Sequence, residues 1–350
     1  MEEQPLVSVC VISYQHERFI REAINGILSQ KTSFDFELLI YDDASSDASQ
    51  EIIREMCREA PSNISVRLFF QEENMWSRGI SGSNAILYPA VKGKYVALCE
   101  GDDYWLDPLK LQKQVDFMEN HPDYAMCLHP GKILYEGNPA GRSDEYYPGG
   151  KFHRIFSRKK RIPLDYMLRG NMATTASVMY RWKYYGEAFS EVFPQGINPG
   201  DWYMHLLHAK DGKIGYLPEI MSVYRKHQSG MYSSLENNQA LFYRKYKEVE
   251  LAFYEAVFKL LAGRKKETAL WNDTYTGYLL RMLHCFLSVH DEESLLWFWN
   301  RFPDRFERLL ALNYFNFPAN GIVERLGRLI VRMGLKEGGF HKTVYRIFHR

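Results

Sequence analysis

The sequence predicts an α/β protein in which a mixed, mainly parallel sheet carries flanking helices and a helical region follows. Two observations lead to this prediction. From Leu6 to Cys99, short β-rich runs alternate with longer runs of helical period, as in βαβ units. From Gln239 onward the pattern is helical almost throughout. We therefore expect a sheet-containing domain over residues 1–235 and a helical extension over 236–350.

The elements follow in order from these patterns. The apolar run VSVCVISY is typical of a buried strand, and apolar residues recur at helical spacing from Ile20 to Leu28. Turn and N-cap residues after FELLIY begin a helix near Ala48, and Gly93 ends another. Pro199-Gly200-Asp201-Trp202 precedes a third helical run, which continues through Lys210. The predicted strands are Val7–Tyr14, Phe36–Tyr41, Val66–Phe70, Tyr95–Cys99 and the runs at Ile214–Leu217 and Val223–Tyr224. Gly137–Arg161, rich in Gly, Pro and Tyr and then basic, predicts a long loop that contacts substrate or is disordered.

Composition excludes several classes of protein. The 350 residues contain 44 Lys and Arg against 43 Asp and Glu, a net charge of +1 that offers no overall field for nucleic acid. The five cysteines are widely spaced and include no C-x-x-C pair, which indicates neither a disulfide framework nor a zinc site. The N-terminus is acidic, and no apolar run approaches the roughly 20 residues that span a bilayer. We expect a cytoplasmic protein without a helical anchor.

Three polar clusters follow the ends of predicted strands: Ser13-Tyr14-Gln15, Asp42-Asp43 and Glu100-Gly101-Asp102-Asp103. In open parallel sheets, ligands bind beyond the carboxyl ends of the strands. Each cluster alone is also explained by turns and caps, in which Asp and Ser are common. Acidic residues at the end of an apolar strand can hold a hard divalent cation, which bridges protein to phosphate oxygens. The EGDD cluster therefore predicts a metal and diphosphate site.

Three ordered motifs then carry a resemblance: VSVCVISYQHERFIREAINGILSQ, FELLIYDDASSDAS and GKYVALCEGDDYWLDPLKLQKQ. Over roughly residues 6 to 230 the chain resembles the family-two inverting glycosyltransferases of the GT-A fold. Their order and context make them more specific than a single D-x-D. The resemblance implies a nucleotide-sugar donor, Mn²⁺ or Mg²⁺, and transfer to an acceptor hydroxyl of a glycan or lipid-linked acceptor.

The resemblance also implies roles for particular residues. Tyr14 would stack on the donor base, and Asp43 would accept a hydrogen bond from its ring N–H, which favours UDP or dTDP. Asp102 takes the metal-binding place and Asp103 lies beside the donor sugar. Glu100 replaces the usual Asp of D-x-D and is assigned to the ribose or metal shell. The remaining donor-binding candidates are Ser13, Glu17, Arg78 and Arg225.

Three residues outside the EGDD cluster complete the predicted site. Asp201, in NPGDWYMHLL, matches the family's general base, although a carboxylate serving the helix dipole is the alternative. Trp202 is an acceptor platform or a core residue. His227, in YRKH, matches a histidine that completes the metal shell or contacts the diphosphate, although an isolated histidine is more often structural.

The sequence leaves two alternatives to a glycosyltransferase open, and it contains a basic C-terminal segment with no role in the predicted site. A scaffold that binds nucleotide sugars without catalysis is disfavoured by the presence of Asp102, Asp201 and His227, and a sugar-phosphate nucleotidyltransferase by the absence of glycine from SYQHERF. Residues 322–350 carry seven Lys or Arg against two Glu, with apolar residues at helical spacing. This basic amphipathic tail predicts peripheral membrane contact or, equally, a helix packed on the catalytic domain.

Overall fold

The computed structural model describes residues 4–137, 145–230, 238–306 and 309. They form an α/β unit and a helical unit. The first comprises the described residues up to 230 together with Val249–Gly263, and the second comprises residues 238–248 and the described residues from Arg264 onward. The basic tail at 322–350 lies outside the described residues, so its membrane contact stays a prediction.

An eight-stranded mixed sheet forms the core of the first unit. Its strands lie in the order β3-β2-β1-β4-β10-β6-β11-β9. The first four are parallel neighbours, β6 and β11 are also parallel, and β10 and β9 are antiparallel to theirs. The bounds are β1 Val7–Ser13, β2 Phe36–Asp42, β3 Ile64–Phe70, β4 Tyr95–Glu100, β6 Tyr124–Leu128, β9 Arg161–Ile162, β10 Met179–Arg181 and β11 Lys213–Tyr216.

A smaller sheet is built from segments that alternate along the chain with strands of the large sheet. It has the order β5-β12-β7-β8, with β5 Tyr104–Trp105, β7 Gly131–Tyr135, β8 Tyr146–Tyr147 and β12 Ser222–Lys226. β12 is antiparallel to β5 and parallel to β7. Because β5 begins one residue after the EGDD cluster, this sheet brings residues of β12, distant in sequence, next to the acidic turn.

Helices α1 to α7 belong to the first unit, and the described part of the second unit is helical. In α1, Ile20, Ala23, Ile24 and Ile27 form one buried face against Val7, Val9 and Val11 of β1. The bounds are α1 Ile20–Leu28, α2 Ser49–Cys57, α3 Lys110–Glu119, α4 Gly150–Lys159, α5 Leu164–Arg169, α6 Ala188–Val192, α7 Gly200–Ala209, α8 Gln239–Leu260, α9 Lys265–Ser288 and α10 Glu292–Arg301. In the part of the chain that is described, no helix is both long enough and apolar enough to cross a bilayer.

The predicted strands and the helical C-terminal region are present, and two expectations need correction. The stretch 137–161 is not one long loop, because α4 and the short strands β8 and β9 lie in it. Phe156 of α4 is buried while the basic residues around it are exposed, so a helical pattern was hidden in a run of charge. The expected helix before Gly93 is a π turn, Ser83–Leu87, followed by a 3₁₀ turn, Tyr88–Ala90.

Candidate active site

Adjacent parallel strands bring the polar clusters to one edge of the large sheet. Ser13 is the register partner of Asp42, and Ile12 is the partner of Glu100. The backbone N–H of Asp43 donates to the Ser13 carbonyl at 3.0 Å. Neighbouring parallel strands end at the same edge of the sheet, so these residues lie close together although 87 positions separate Ser13 from Glu100 in the sequence.

The acidic turn after β4 is joined to β12. The backbone N–H of Arg225 donates to Oδ1 of Asp103 at 2.8 Å. One residue beyond β12, His227 Nε2 lies 2.9 Å from Oδ2 of Asp102, and its Nδ1 lies 2.8 Å from the Ser229 hydroxyl. The pairing of β5 with β12 therefore places the His227 imidazole beside the Asp102 carboxylate.

Gly101 lets the turn approach β1 and the segment after it. The Gly101 N–H donates to the Ile12 carbonyl at 2.8 Å. A Cβ at position 101 would lie 2.6 Å from His16 Nδ1 and 3.1 Å from the Ile12 oxygen. The glycine between Glu100 and Asp102 thus has a packing cause, since any larger residue must displace His16 or the backbone of β1.

The three acidic side chains of the turn have different electrostatic environments. Burial, followed by the charges of Asp102 and Asp201, raises the pKa of Glu100 to about 8. Burial also raises the pKa of Asp103, whose Oδ2 is buried without a partner among the described residues. The pKa of Asp102 is lowered, because its hydrogen bond to His227 and the nearby His16 outweigh burial. Asp102 is therefore the turn carboxylate best suited to remain ionised.

Arg225 holds the turn to its surroundings. Its Nε donates to the Asp102 carbonyl at 2.8 Å, and its two terminal nitrogens form ion pairs with Glu22 of α1 and Glu136 after β7. The guanidinium carbon lies 4.8 Å from the Phe19 ring centre. The side chain is almost fully buried. Its nitrogens are thus engaged within the protein, and its assignment to the donor site stays a prediction.

Asp43 is held at the end of β2. Its Oδ1 accepts hydrogen bonds from the Tyr41 hydroxyl at 2.6 Å and the Met75 N–H at 2.8 Å, and its Oδ2 accepts one from the Trp76 N–H at 3.1 Å. Nearby, the Tyr14 ring is 46% exposed. The Asp43 carboxylate is therefore fixed by neighbours, while the Tyr14 ring is open to solvent.

The remaining donor-binding candidates lie in differing surroundings. The Ser13 hydroxyl is buried and has no partner in the described residues. Glu17 accepts a hydrogen bond from the Ala48 N–H at 3.1 Å, just before α2. Arg78 is exposed and forms an ion pair with Glu73 at 2.9 Å. Of these three, Ser13 alone lies at the carboxyl end of a site-forming strand.

Asp201 lies in the first turn of α7. Its Oδ1 accepts a hydrogen bond from the Trp202 N–H at 2.7 Å, and its Oδ2 accepts one from the Asn171 amide at 2.8 Å. Burial raises the pKa of Asp201 above its ordinary value. Its charge contributes to raising the pKa values of Glu100 and Tyr147, so it lies within electrostatic reach of the acidic turn.

The neighbours of Asp201 on α7 face the core. The Trp202 side chain is buried, its Nε1 donates to the Met167 carbonyl at 2.8 Å, and its ring lies 5.2 Å from Phe253. This placement favours the packing alternative over an acceptor platform. His205, one turn on, is fully buried beside the Tyr180 hydroxyl at 2.6 Å, and burial lowers its pKa to about 3.

The donor set fits a divalent ion that shares its shell with a ligand. No group of three His, Cys, Asp or Glu suited to a metal occurs among the residues that the structure describes. Asp102 Oδ2 and His227 Nε2 nevertheless converge, and Asp103 Oδ2 is an orphaned buried oxygen. Carboxylate oxygens suit Mn²⁺ and Mg²⁺, which commonly combine one or two protein carboxylates with phosphate oxygens, and an imidazole beside them favours Mn²⁺, the softer of the two ions. An open site of this kind matches the residues present.

Two neighbours of the site were not predicted. His16 Nε2 lies 3.9 Å from Asp102 Oδ2, and Asn171 holds Asp201. His16 could have been found from its position two residues after Tyr14, at the end of a site-forming strand. Asn171 has no comparable signal, because only tertiary packing brings residue 171 to α7.

The fold is that of the GT-A transferases, and comparison with known proteins identifies the family. Residues 8–188 match the family model "Glycosyl transferase family 2". The chain belongs to this family and is a glycosyltransferase. It is 36% identical over 275 residues to an uncharacterized protein of Mycobacterium tuberculosis (strain ATCC 25618 / H37Rv), covering 79% of this chain and 74% of that protein.

Two further relatives extend the comparison. Over 114 residues the chain is 30% identical to the Escherichia coli UDP-Glc:alpha-D-GlcNAc-diphosphoundecaprenol beta-1,3-glucosyltransferase WfaP, covering 33% of this chain and 41% of that enzyme. The crystal structure of S. aureus TarS 1-349 shares the fold, with a TM-score of 0.53 at 16% identity over 82% of this chain and 81% of that one.

Proposed function

We propose that this glycosyltransferase moves a sugar from a UDP- or dTDP-sugar to an acceptor hydroxyl, with inversion and with Mn²⁺ or Mg²⁺. The supporting observation is the 2.9 Å approach of His227 Nε2 to Asp102 Oδ2, which joins two ligand types from distant parts of the chain. The acceptor is a glycan or a lipid-linked glycan in polysaccharide or glycoconjugate biosynthesis. The cytoplasm, at the inner face of the membrane, is the proposed location.

A pyrimidine base with a ring N–H suits the end of β2. Asp43 Oδ2 accepts one hydrogen bond from the protein, which leaves it acceptor capacity for the N–H of uracil or thymine. Cytosine lacks that N–H. The exposed Tyr14 ring offers a stacking surface beside it. The relative WfaP, whose name specifies UDP-Glc, supports a uridine nucleotide.

Asp102 and His227 are the proposed metal ligands. When bound, the ion would neutralise diphosphate charge as the nucleotide departs. Glu100 and Asp103 line the same turn, and Arg225 keeps the turn in place through the Asp102 carbonyl and the Asp103 carboxylate. In this assignment Arg225 is a positioning residue.

Asp201 is the proposed general base. Removal of the acceptor proton as the new bond forms typically contributes about 10²–10⁴-fold to the rate. Asn171 and the Trp202 N–H fix the carboxylate, and its raised pKa makes it a better proton acceptor than an ordinary Asp. Transfer to an acceptor on the face opposite the leaving group would invert the anomeric carbon.

The test measures Mn²⁺-dependent binding and turnover with UDP-, dTDP- and GDP-sugars. We expect Asp102→Ala to lose metal-dependent donor binding. We expect Asp201→Asn to keep donor binding and lose turnover, and NMR of the wild-type product to show inversion. Asp123→Asn is a matched control, because Asp123 is exposed and pairs with Lys213 outside the site.

Three outcomes would contradict the proposal. Retained donor binding by Asp102→Ala in a chelator would exclude the metal role. Donor binding without turnover under any condition would favour the scaffold alternative. Release of pyrophosphate from a nucleoside triphosphate and a sugar phosphate would favour the nucleotidyltransferase.

A further inference from the structure

The helix α4 presents a basic face that the proposed reaction does not use. Four of its exposed residues, Lys151, Arg154, Arg158 and Lys159, form what we call the α4 basic face. At about 100° per residue they fall within an arc of roughly 140° on one side of the helix. Lys160 and Arg161 extend the charge, and residues 150–161 include no Asp or Glu.

Among the described residues, these four cations form no ion pair with an acidic side chain. The nearest acidic residues in sequence are Glu145 and Asp165, and both already have interaction partners. A cluster of like charges without counter-charges destabilises a helix slightly, so the basic face indicates an external anionic partner.

The opposite side of α4 is fixed to the first unit. Phe156 is fully buried, with its ring 5.6 Å from that of Tyr216, and His153 Nδ1 lies 2.8 Å from the Tyr216 hydroxyl. The helix therefore cannot rotate its cations inward, and the basic face remains directed at solvent.

We propose that the α4 basic face docks this enzyme on a bilayer of anionic lipid. Charge complementarity identifies the partner class, since each Lys or Arg near such a surface strengthens binding by about fivefold. The ring of Phe152, 39% exposed, borders the basic face beside Lys159 and can enter the headgroup region. This apolar border favours a lipid surface over a soluble polyanion.

The position of α4 connects docking to the candidate site. α4 begins three residues after Tyr147, whose pKa is raised by burial and by the charge of Asp201. The Tyr147 hydroxyl donates to the Asn171 carbonyl, and Asn171 holds Asp201. Tyr147 and Asn171 thus connect the start of α4 to Asp201, whose assignment as the base rests on the proposed function.

The test compares binding of the full chain to vesicles of phosphatidylcholine with and without roughly one-third phosphatidylglycerol. The variant changes Lys151, Arg154, Arg158 and Lys159 to Gln, a good helix former. The matched control changes four scattered exposed cations, Lys31, Arg58, Lys183 and Lys265, to Gln and so alters net charge equally. Circular dichroism and thermal melting verify that each variant is folded.

We expect salt-sensitive binding of wild type to the anionic vesicles only. Loss of the four cations should weaken it by about 100-fold or more, while the scattered control binds within a few-fold of wild type. Phe152→Ser should weaken vesicle binding without changing its salt dependence. Equal vesicle binding by the α4 variant and wild type would overturn the proposal, as would binding of wild type to polyphosphate or RNA but not to vesicles. Sedimentation with vesicles needs no turnover, so this result is independent of the activity assay.

Discussion

At the scale of the residue, a missing side chain shapes the acidic turn. Gly101→Ala would place a Cβ 2.6 Å from His16 Nδ1 and 3.1 Å from the Ile12 carbonyl oxygen. We expect a loss of about 1–3 kcal/mol in the free energy of unfolding, together with weaker Mn²⁺ binding, because the turn must shift away from β1. Urea denaturation and metal titration measure the two effects.

Gly200→Ala is the control for that substitution. A Cβ at position 200 meets no atom closer than 3.7 Å, and the residue is already helical, so this variant should be at least as stable as wild type. Wild-type stability and metal binding in Gly101→Ala would show that the turn has room that its neighbours do not suggest.

A second residue-scale prediction concerns the pH dependence of Asp201. A general base must be ionised, so kcat falls as pH decreases through its pKa. Because burial raises that pKa above the ordinary value of 3.8, the fall begins at a higher pH than for an exposed Asp. In Asp201→Asn we expect kcat to drop by about 10²–10⁴-fold and this acid limb to disappear.

Rate measurements over about pH 4–8 at saturating donor and metal would test this. Asp123→Asn, at an exposed ion pair, should keep the wild-type profile. An unchanged acid limb in Asp201→Asn would assign the titration to another group.

The residues also show where sequence reasoning reaches its limit. Asp102 and His227 were predicted as a pair from their motifs, and they lie 2.9 Å apart. Motifs do not reveal which side chains a fold uses internally. The guanidinium of Arg225 forms ion pairs with Glu22 and Glu136, and the side chain of Trp202 is buried. Both placements depend on packing among residues far apart in sequence, which a local motif does not encode.

At the scale of the element, the pairing of β5 with β12 assembles the site, and Arg225 connects this pair to α1 and to the end of β7. We expect Arg225→Met to lower the free energy of unfolding by about 2–3 kcal/mol. This is less than for a fully buried pair, because the Glu22 side chain is 60% exposed and regains water. Mn²⁺ affinity should fall with it, since the Asp102 carbonyl and the turn lose their anchor.

Arg21→Met serves as the comparison, because Arg21 pairs with Glu55 on the exposed surface of α1 and α2. Surface pairs contribute about 0–1 kcal/mol, so this variant should differ little from wild type. Reduced donor affinity in Arg225→Met at unchanged Mn²⁺ affinity and stability would instead indicate direct contact with the diphosphate.

Elements with strong local signals were predictable. The segments that form β1, β2 and β4 are mostly apolar and almost fully buried, because parallel strands are covered on both faces. The two-residue strands β5, β8 and β9 have no periodicity to detect, since their pairing is set by distant partners. In α4, four Lys or Arg side chains mask the helical pattern of its buried face, which Phe156 marks.

At the scale of the whole molecule, one buried cation links stability to pH. Lys110 is fully buried at the start of α3, with Nζ 2.7 Å from Gln114 Oε1 and 3.9 Å from the centre of the Trp105 ring. Burial lowers the pKa of Lys110 to about 7. In the unfolded chain the pKa returns to its ordinary value of 10.5, so between about pH 7 and 10.5 the unfolded chain holds one more proton at this residue.

Because the unfolded chain binds the extra proton, raising the pH favours the folded state. The contribution of Lys110 to the free energy of unfolding rises with pH through this window and is least favourable at pH 7 and below. Lys110→Met removes the ionisation while keeping an unbranched apolar chain. The difference in unfolding free energy between wild type and this variant should therefore move in favour of wild type by about 2 kcal/mol or more from pH 7 to pH 10.

Urea denaturation at several pH values measures this difference, and Lys31→Met, at an exposed site, is the control. Loss of the Lys110 hydrogen bond leaves Gln114 Oε1 without that donor, which shifts the stability of Lys110→Met by a similar amount at every pH. The informative quantity is therefore the change with pH in the difference of unfolding free energy between wild type and Lys110→Met, and not the size of that difference at one pH. Parallel pH profiles for wild type and Lys110→Met would mean that Lys110 remains charged in the folded core, stabilised by Gln114 and the face of Trp105.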